Sequence, residues 1–185
     1  MKTKINLRVI LLSVAVLTAT ACKNTKNEKP GQKEMKTEMQ HTTQNEQQEN
    51  AIAMKAEFKD ATTANAFQHY MHLKTALVNS DPTAAQNGAE MLSNSVENDN
   101  EIKETAKAIA TTEDLEKQRE LFSTLTAQLE GMLKGALASG ELYKQYCPMA
   151  FNNTGGYWFS DRKEIRNPYF GDKMLKCGSV KETIK

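Results

Sequence analysis

The sequence predicts an all-α fold: an antiparallel bundle of about four helices, closed by a loop-rich, aromatic C-terminal cap over residues 141–185. Three observations predict it. Apolar residues recur at three- and four-residue spacing between Ala66 and Leu137, the period of helices with one buried face. Proline, glycine and capping residues break that stretch at intervals suited to short connections between antiparallel neighbours. Past Tyr146 no helical period survives, and Tyr143, Tyr146, Phe151, Tyr157, Trp158, Phe159, Tyr169 and Phe170 crowd the end of the chain, an ordered, aromatic-packed cap that can include a short hairpin.

Residues 1–21 read as a signal peptide. Lys2, Lys4 and Arg8 form a basic start, and Val9 to Leu17 is an apolar run broken only by Ser13, short of the roughly 20 residues a membrane span needs. Ala19-Thr20-Ala21 then leads into Cys22. Cleavage before Cys22, with lipid on its thiol and new amino group, is the lipoprotein pattern. Ordinary secretion with a free Cys22 fits the same residues. Acyl chains at Cys22 would make the membrane a partner, each buried methylene contributing about 0.8 kcal/mol. Lys23 supplies no inner-membrane retention signal, so the expected location is the cell envelope, anchored to the outer membrane and facing the periplasm.

Residues 22–50 read as the lipidated cysteine and a disordered tether. Beyond Cys22 the apolar side chains are Met35 and Met39, with Pro30-Gly31 as a breaker. Such a segment cannot bury enough surface to offset its ordering entropy. Met35, Met39 and His41 could form a soft-metal site, although a solvated linker is the simpler reading.

Residues 51–185 form the folded domain, and the pattern becomes helical from Ala51. In the first helix Ala66, Tyr70, Leu73 and Leu77 share one face, and the helix stops near Asn79. Ser80-Asp81-Pro82 reads as a cap with proline at the first helical position. A second helix runs from Thr83 to about Val96 with Ala85, Ala89 and Leu92 inside, and a third covers Ile102 to Ala110. Thr112 can cap a fourth beginning near Glu113, whose stripe is Leu115, Phe122, Leu125, Leu129, Met132 and Ala136, with Gln118 the polar intrusion. Ser139-Gly140 ends it. No strand signal precedes residue 140.

The formal net charge is +1, from 24 basic and 23 acidic residues, and this balance argues against a nucleic-acid partner. No P-loop, nucleophile elbow, HExxH or haem-attachment motif is present, so no catalytic residues are assigned and the protein is read as a non-enzyme.

The C-terminal segment carries a resemblance. Tyr143-x-x-Tyr146-Cys147-Pro148-Met149-Ala150, Gly156-Tyr157-Trp158-Phe159-Ser160 and Ile165-Arg166-Asn167-Pro168-Tyr169-Phe170-Gly171-Asp172-x-Met174-Leu175-x-Cys177-Gly178 resemble a periplasmic domain family of unknown function. In the helical part, Tyr70-x-x-Leu73-Lys74-x-Ala76-Leu77-Val78-x-Ser80-Asp81 and Arg119-Glu120-x-Phe122-x-x-Leu125 are similar to the same family, so the resemblance spans roughly residues 64 to 180. Its members occur as small lipoproteins and fused to adaptor subunits of heavy-metal efflux pumps, in copper- and silver-resistance settings. The resemblance implies such a context here, with an efflux adaptor as a candidate partner.

Sulfur chemistry follows from the residues themselves. Cys147 and Met149 bracket Pro148, and Met174 and Cys177 stand three apart. Thiolate and thioether donors are soft and select Cu(I) over hard cations. The Cys-Pro-Met run also resembles short metal-binding modules of efflux adaptors, which place His where Ala150 stands here. A histidine from the first helix could complete the set, since His69 and His72 share a side, His69 at the flank of the apolar stripe and His72 nearly opposite it. The alternative is a Cys147–Cys177 disulfide, closing a loop of about thirty residues and stabilising by roughly 3–4 kcal/mol. Met149 and Met174 would then be packing residues. Asp161 to Glu164 read as a solvated turn, and Arg166 and Asp172, which flank the Asn-Pro-Tyr-Phe-Gly stretch, read equally as an ion pair holding that loop or as binding residues.

Two functions are therefore expected. The first is a membrane-anchored, non-enzymatic protein that captures or hands on Cu(I) through Cys147, Met149, Met174 and Cys177. The second is an interaction module whose disulfide-stapled cap docks on an efflux adaptor or another envelope protein.

Overall fold

A computed structural model of the chain describes residues 56–96 and 98–185. The signal peptide, the Cys22 lipidation site and the tether with Met35, Met39 and His41 lie outside the described residues.

The fold is mixed, not all-α. In chain order the elements are β1 (Glu57–Phe58), α1 (Ala61–Val78), α2 (Pro82–Ser95), α3 (Asn100–Ala110), α4 (Leu115–Leu133), β2 (Leu137–Ser139), β3 (Leu142–Cys147), the single turn α5 (Ala150–Asn153), β4 (Gly156–Ser160), a 3-10 turn at Gly171–Met174, and β5 (Ser179–Ile184). β1 pairs antiparallel with β2, and β3 lies between β4 and β5 in a second antiparallel sheet.

Each of the four long helices starts on an aspartate. Asp60, Asp81, Asp99 and Asp114 accept hydrogen bonds from the first-turn N–H groups of Thr63, Ala84, Ile102 and Glu116, which satisfies donors that have no partner inside the helix. Asp81 followed by Pro82 is the cap expected there. At α4 the cap is Asp114 rather than Thr112, whose hydroxyl instead accepts from the Asp114 N–H at 3.2 Å. Upstream, α1 begins at Ala61 and follows a short strand, although the sequence reads as helical from Ala51.

The expected faces of the helices are buried. Phe67, Tyr70, Leu73, Leu77, Leu92, Ile102, Ile109, Phe122, Leu125 and Leu129 are fully enclosed. Consecutive helices pack on one another, and α1 and α2 touch closely at Gly88. A Cβ there would come within 2.9 Å of the Leu73 backbone nitrogen. Gln118 is buried and donates to the carbonyls of Pro82 (3.0 Å) and Thr112 (2.8 Å), tying the start of α4 to the start of α2.

Two corrections explain the change of fold class. First, α4 ends at Leu133 instead of running to Ser139, because Gly135 takes a left-handed φ of 75° and turns the chain out. Leu137–Ser139 then pairs with Glu57–Phe58. Second, the cap is built on a three-stranded sheet. In β3 and β4 the period-two pattern is hidden because both faces are covered, whereas β5 is exposed up to Ile184. Towards the helices, Lys144 pairs with Glu130 of α4 at 2.7 Å, and the Phe159 ring lies 6.3 Å from Tyr70 of α1. On the other face, Gln145 donates to the carbonyl of Arg162 (2.8 Å) and accepts from the Trp158 indole (2.6 Å), under the loop between β4 and β5. A strand covered on both faces shows no polar–apolar alternation, and short runs do not distinguish strand from coil.

The loop differs from expectation in its charges too. Asp161 is buried rather than solvated, and Arg166 pairs with Glu164 at 3.9 Å rather than with Asp172.

Candidate functional site

The site lies at the end of the three-stranded sheet. Cys147 is the last residue of β3 and is fully buried, while Cys177 stands two residues before β5 and is partly exposed. Their sulfurs are 2.7 Å apart across thirty residues of chain. No disulfide joins them in this structure. Strand register brings them together, since Tyr146 pairs with Ser179 and leaves Cys147 facing the segment that enters β5.

That segment is held by backbone geometry. Gly178 has φ 148° and presses against the Trp158 ring, where a Cβ would come within 2.8 Å of the indole edge. Asn167, wholly buried, donates through its side-chain amide to the Cys177 carbonyl at 2.9 Å and accepts from the Tyr169 N–H at 2.8 Å. Its backbone N–H donates to the Leu175 carbonyl at 2.9 Å. Further along, Arg119 of α4 donates from Nε to the Pro168 carbonyl (3.0 Å) and from Nη2 to the Ser80 hydroxyl (3.0 Å). Gly171 fits beneath it, with room for no Cβ, which would lie 2.5 Å from the Ser80 hydroxyl oxygen. The loop is thus clamped to the ends of α1 and α4, and Cys177 is clamped to the loop.

On the other side of the sulfurs, Pro148 and Met149 are exposed, the Met149 side chain 47% so. The chain then makes a left-handed turn at Phe151 (φ 51°, ψ 56°), Asn152 (φ 56°, ψ 44°) and Asn153 (φ 68°). This conformation is unfavourable for a bulky side chain and persists only where surroundings enforce it. Here the Phe151 ring packs edge-on against Tyr169, with centroids 4.9 Å apart. A groove of about 380 Å³ runs alongside, bounded by Met149, Phe151, Tyr169 and Phe170 and by Glu116 and Glu120 of α4.

The hydrogen bond with Cys147 raises the Cys177 thiol pKa above its ordinary value, and burial adds to this, with the Met149 N–H pulling the other way. At neutral pH the thiol form therefore dominates until a metal or a base takes the proton.

The remaining candidates are placed as follows. Met174, half-buried, closes the 3-10 turn, and its carbonyl accepts from the Cys177 N–H at 2.9 Å. His69 and His72 sit edge to face, centroids 5.9 Å apart, and His72 is exposed. Their stretch of α1 runs past Gly88 of α2, whereas Tyr70 and Lys74 are the residues of α1 that reach β4. The histidines are thus not brought to the sulfurs. Burial and the neighbouring His72 lower the His69 pKa, and its Nδ1 is buried without a partner. Among the described residues no group of three or more His, Cys, Asp or Glu is arranged around a metal position.

Sequence reasoning missed two buried cations. Lys74 lies four residues after Tyr70 on the inward face, and Arg119 adjoins Gln118. The signal for Lys74 was a charge at the spacing of the apolar stripe. For Arg119 it was a second polar residue beside the one noted as an intrusion. Lys74 donates to the Ser160 hydroxyl at 3.2 Å, and burial lowers its pKa to about 8 despite the nearby Asp161 carboxylate.

No curated protein and no solved structure matches the chain. Residues 66–140 match a family described as "Protein of unknown function (DUF3347)". The match runs from within α1 to just past β2 and stops before β3. Over its helical part, then, this chain is similar to a domain family of unknown function, and its cysteine-bearing sheet lies beyond the matched residues.

Proposed function

We propose that this protein binds a soft metal ion such as Cu(I) in the cell envelope, anchored to the membrane through Cys22, as part of metal homeostasis or efflux. The observation that carries the reading is the convergence of Cys147 and Cys177, thirty residues apart in sequence, with the exposed Met149 on the same loop. Two thiolates and a thioether form a soft, low-coordinate donor set, the kind that selects Cu(I) over hard cations. Met149 offers the accessible end, where an ion enters or leaves, and Met174 adjoins Cys177 through the backbone. The fusion of similar domains to heavy-metal efflux adaptors points to such an adaptor as the transfer partner.

The test is an anaerobic Cu(I) titration of the reduced chain against a competing chelator, with free thiols counted in the same sample. Stoichiometric uptake is expected. Cys147→Ser combined with Met149→Leu should weaken it by roughly 100-fold or more, about 2.7 kcal/mol. Unchanged affinity in that double variant overturns the assignment.

A second reading has its own observation. Met149, Tyr157 and Val180, near the same sulfurs or on the same sheet, are unusually exposed for apolar side chains. With the cysteines joined, this surface would be a stapled, non-catalytic docking face for an efflux adaptor or another envelope protein. Freshly isolated protein with neither thiol free and no copper uptake would favour it.

A further inference from the structure

We propose that Cys147 and Cys177 form a thiol–disulfide switch, in which the dithiol admits the metal and an intramolecular disulfide excludes it. This rests on the soft-metal reading for what is switched, while the redox cycle stands on the geometry alone. Two observations carry it.

The first is proximity. The sulfurs are 2.7 Å apart, and bond formation at about 2.05 Å asks for a shift of under an ångström. The Cys177 side of the pair is held by Asn167, so closing the bond requires no rearrangement of the loop.

The second is asymmetry. Cys147 is wholly buried and Cys177 partly exposed, so an external reagent can reach one sulfur and not the other. A pair built this way has an attacking cysteine at the surface and a resolving cysteine behind it. Access, together with thiolate character, governs which thiol exchanges first.

The chemistry balances with a small organic disulfide, RSSR, as oxidant. Cys177 loses its proton, and its thiolate attacks one sulfur of RSSR. The R–S–S–R bond breaks, one RS⁻ leaves and takes up a proton as RSH, and a Cys177–S–S–R mixed disulfide forms. Cys147 then loses its proton, and its sulfur attacks the Cys177 sulfur. The mixed disulfide breaks, the second RSH leaves, and the Cys147–Cys177 bond is made. Two thiols are oxidised by two electrons, and one RSSR is reduced to two RSH. In the product both sulfurs are neutral and covalently joined, and neither is the thiolate a soft ion requires. A monothiol in excess reverses each step.

The experiment uses the full chain, reduced anaerobically and then exposed to oxidised glutathione. Remaining thiols are blocked by alkylation, and peptide mapping separates the pair from Cys22. Wild type should end with Cys147 joined to Cys177 and no lasting glutathione adduct. Cys147→Ser should accumulate one glutathione on Cys177, because the resolving sulfur is gone. Cys177→Ser should acquire an adduct on Cys147 roughly tenfold more slowly or worse, because that sulfur is covered. Preloading with Cu(I) should slow closure of the pair, and the closed form should take up no Cu(I). Alkylation or separate adducts on both cysteines of wild type overturn the switch, as does equal adduct formation in the two single variants. The two readings fail distinguishably. A bond that forms in protein whose reduced state takes up no Cu(I) removes the metal and leaves a redox pair. Copper uptake by protein whose pair never closes removes the switch alone.

Discussion

The Tyr70 hydroxyl accepts a hydrogen bond from the Phe159 backbone N–H at 3.0 Å. Phe159 lies on β4, an edge strand, and an outward N–H on an edge needs a partner from elsewhere. A helix side chain supplies it, and the same hydroxyl lies 2.9 Å from the Thr126 hydroxyl on α4. One phenol thus joins α1, α4 and the sheet that carries Cys147. Tyr70→Phe keeps the ring and removes the junction. It should destabilise the domain by about 1–3 kcal/mol, because a buried N–H loses its acceptor. Urea unfolding at neutral pH measures this, and an unchanged midpoint would show that the hydroxyl contributes nothing net.

Lys74 makes stability depend on alkaline pH. Burial lowers its pKa from 10.5 to about 8, so between those values the unfolded chain binds the proton more often than the folded one. Stability should therefore rise with pH across that window and be lost as pH falls back through about 8. Lys74→Met removes the titrating group. The stability of Lys74→Met relative to wild type should be greatest near pH 7 and shrink by roughly 3 kcal/mol towards pH 10.5. Paired denaturation curves at the two ends of the window test this, and a gap that does not change with pH refutes it.

Arg119 is a clamp whose loss should be local at first. It binds the Pro168 carbonyl, the Ser80 hydroxyl, the Leu77 carbonyl at 3.3 Å and, at 2.6 Å, the Glu116 carboxylate. Arg119→Met leaves buried acceptors without a donor and should destabilise by roughly 2–4 kcal/mol. Limited proteolysis should cut first between β4 and β5, ahead of the helices. Because the same loop holds Cys177, the variant should also close the cysteine pair more slowly.

Two glycines on neighbouring helices should respond with opposite signs. A methyl group at Gly88 would lie 2.9 Å from the Leu73 backbone nitrogen, and backbone cannot step aside as a side chain does. Gly88→Ala should therefore separate α1 from α2 and destabilise by about 1–3 kcal/mol. Gly131 is exposed on α4, and a methyl group there meets nothing within 4 Å. Gly131→Ala should stabilise by about 0.5–1 kcal/mol through helix propensity alone. Thermal melts of the two variants against wild type decide both.

The helices were legible in the sequence because their signals are local. Tyr70, Leu73 and Leu77 in α1, and Phe122, Leu125 and Leu129 in α4, recur at the helical period and are buried as that period requires. Asp81-Pro82 marks a helix start by its own chemistry. The candidate sulfur residues were legible too, since thiol and thioether chemistry belongs to Cys147, Met149, Met174 and Cys177 wherever they lie. The three-stranded sheet was not legible beyond a short hairpin that the cap could include. Leu142 to Cys147 and Gly156 to Ser160 alternate in direction but not in polarity, because α1 and α4 cover one face and the 161–178 loop covers the other. Only the tertiary structure set Cys147 against Cys177, left Met149 outside, and kept His69 and His72 away from them. Helical period is written in neighbours three and four residues apart. Strand register, and with it the meeting of two sulfurs thirty residues apart, is decided by surfaces that exist only once the chain has folded.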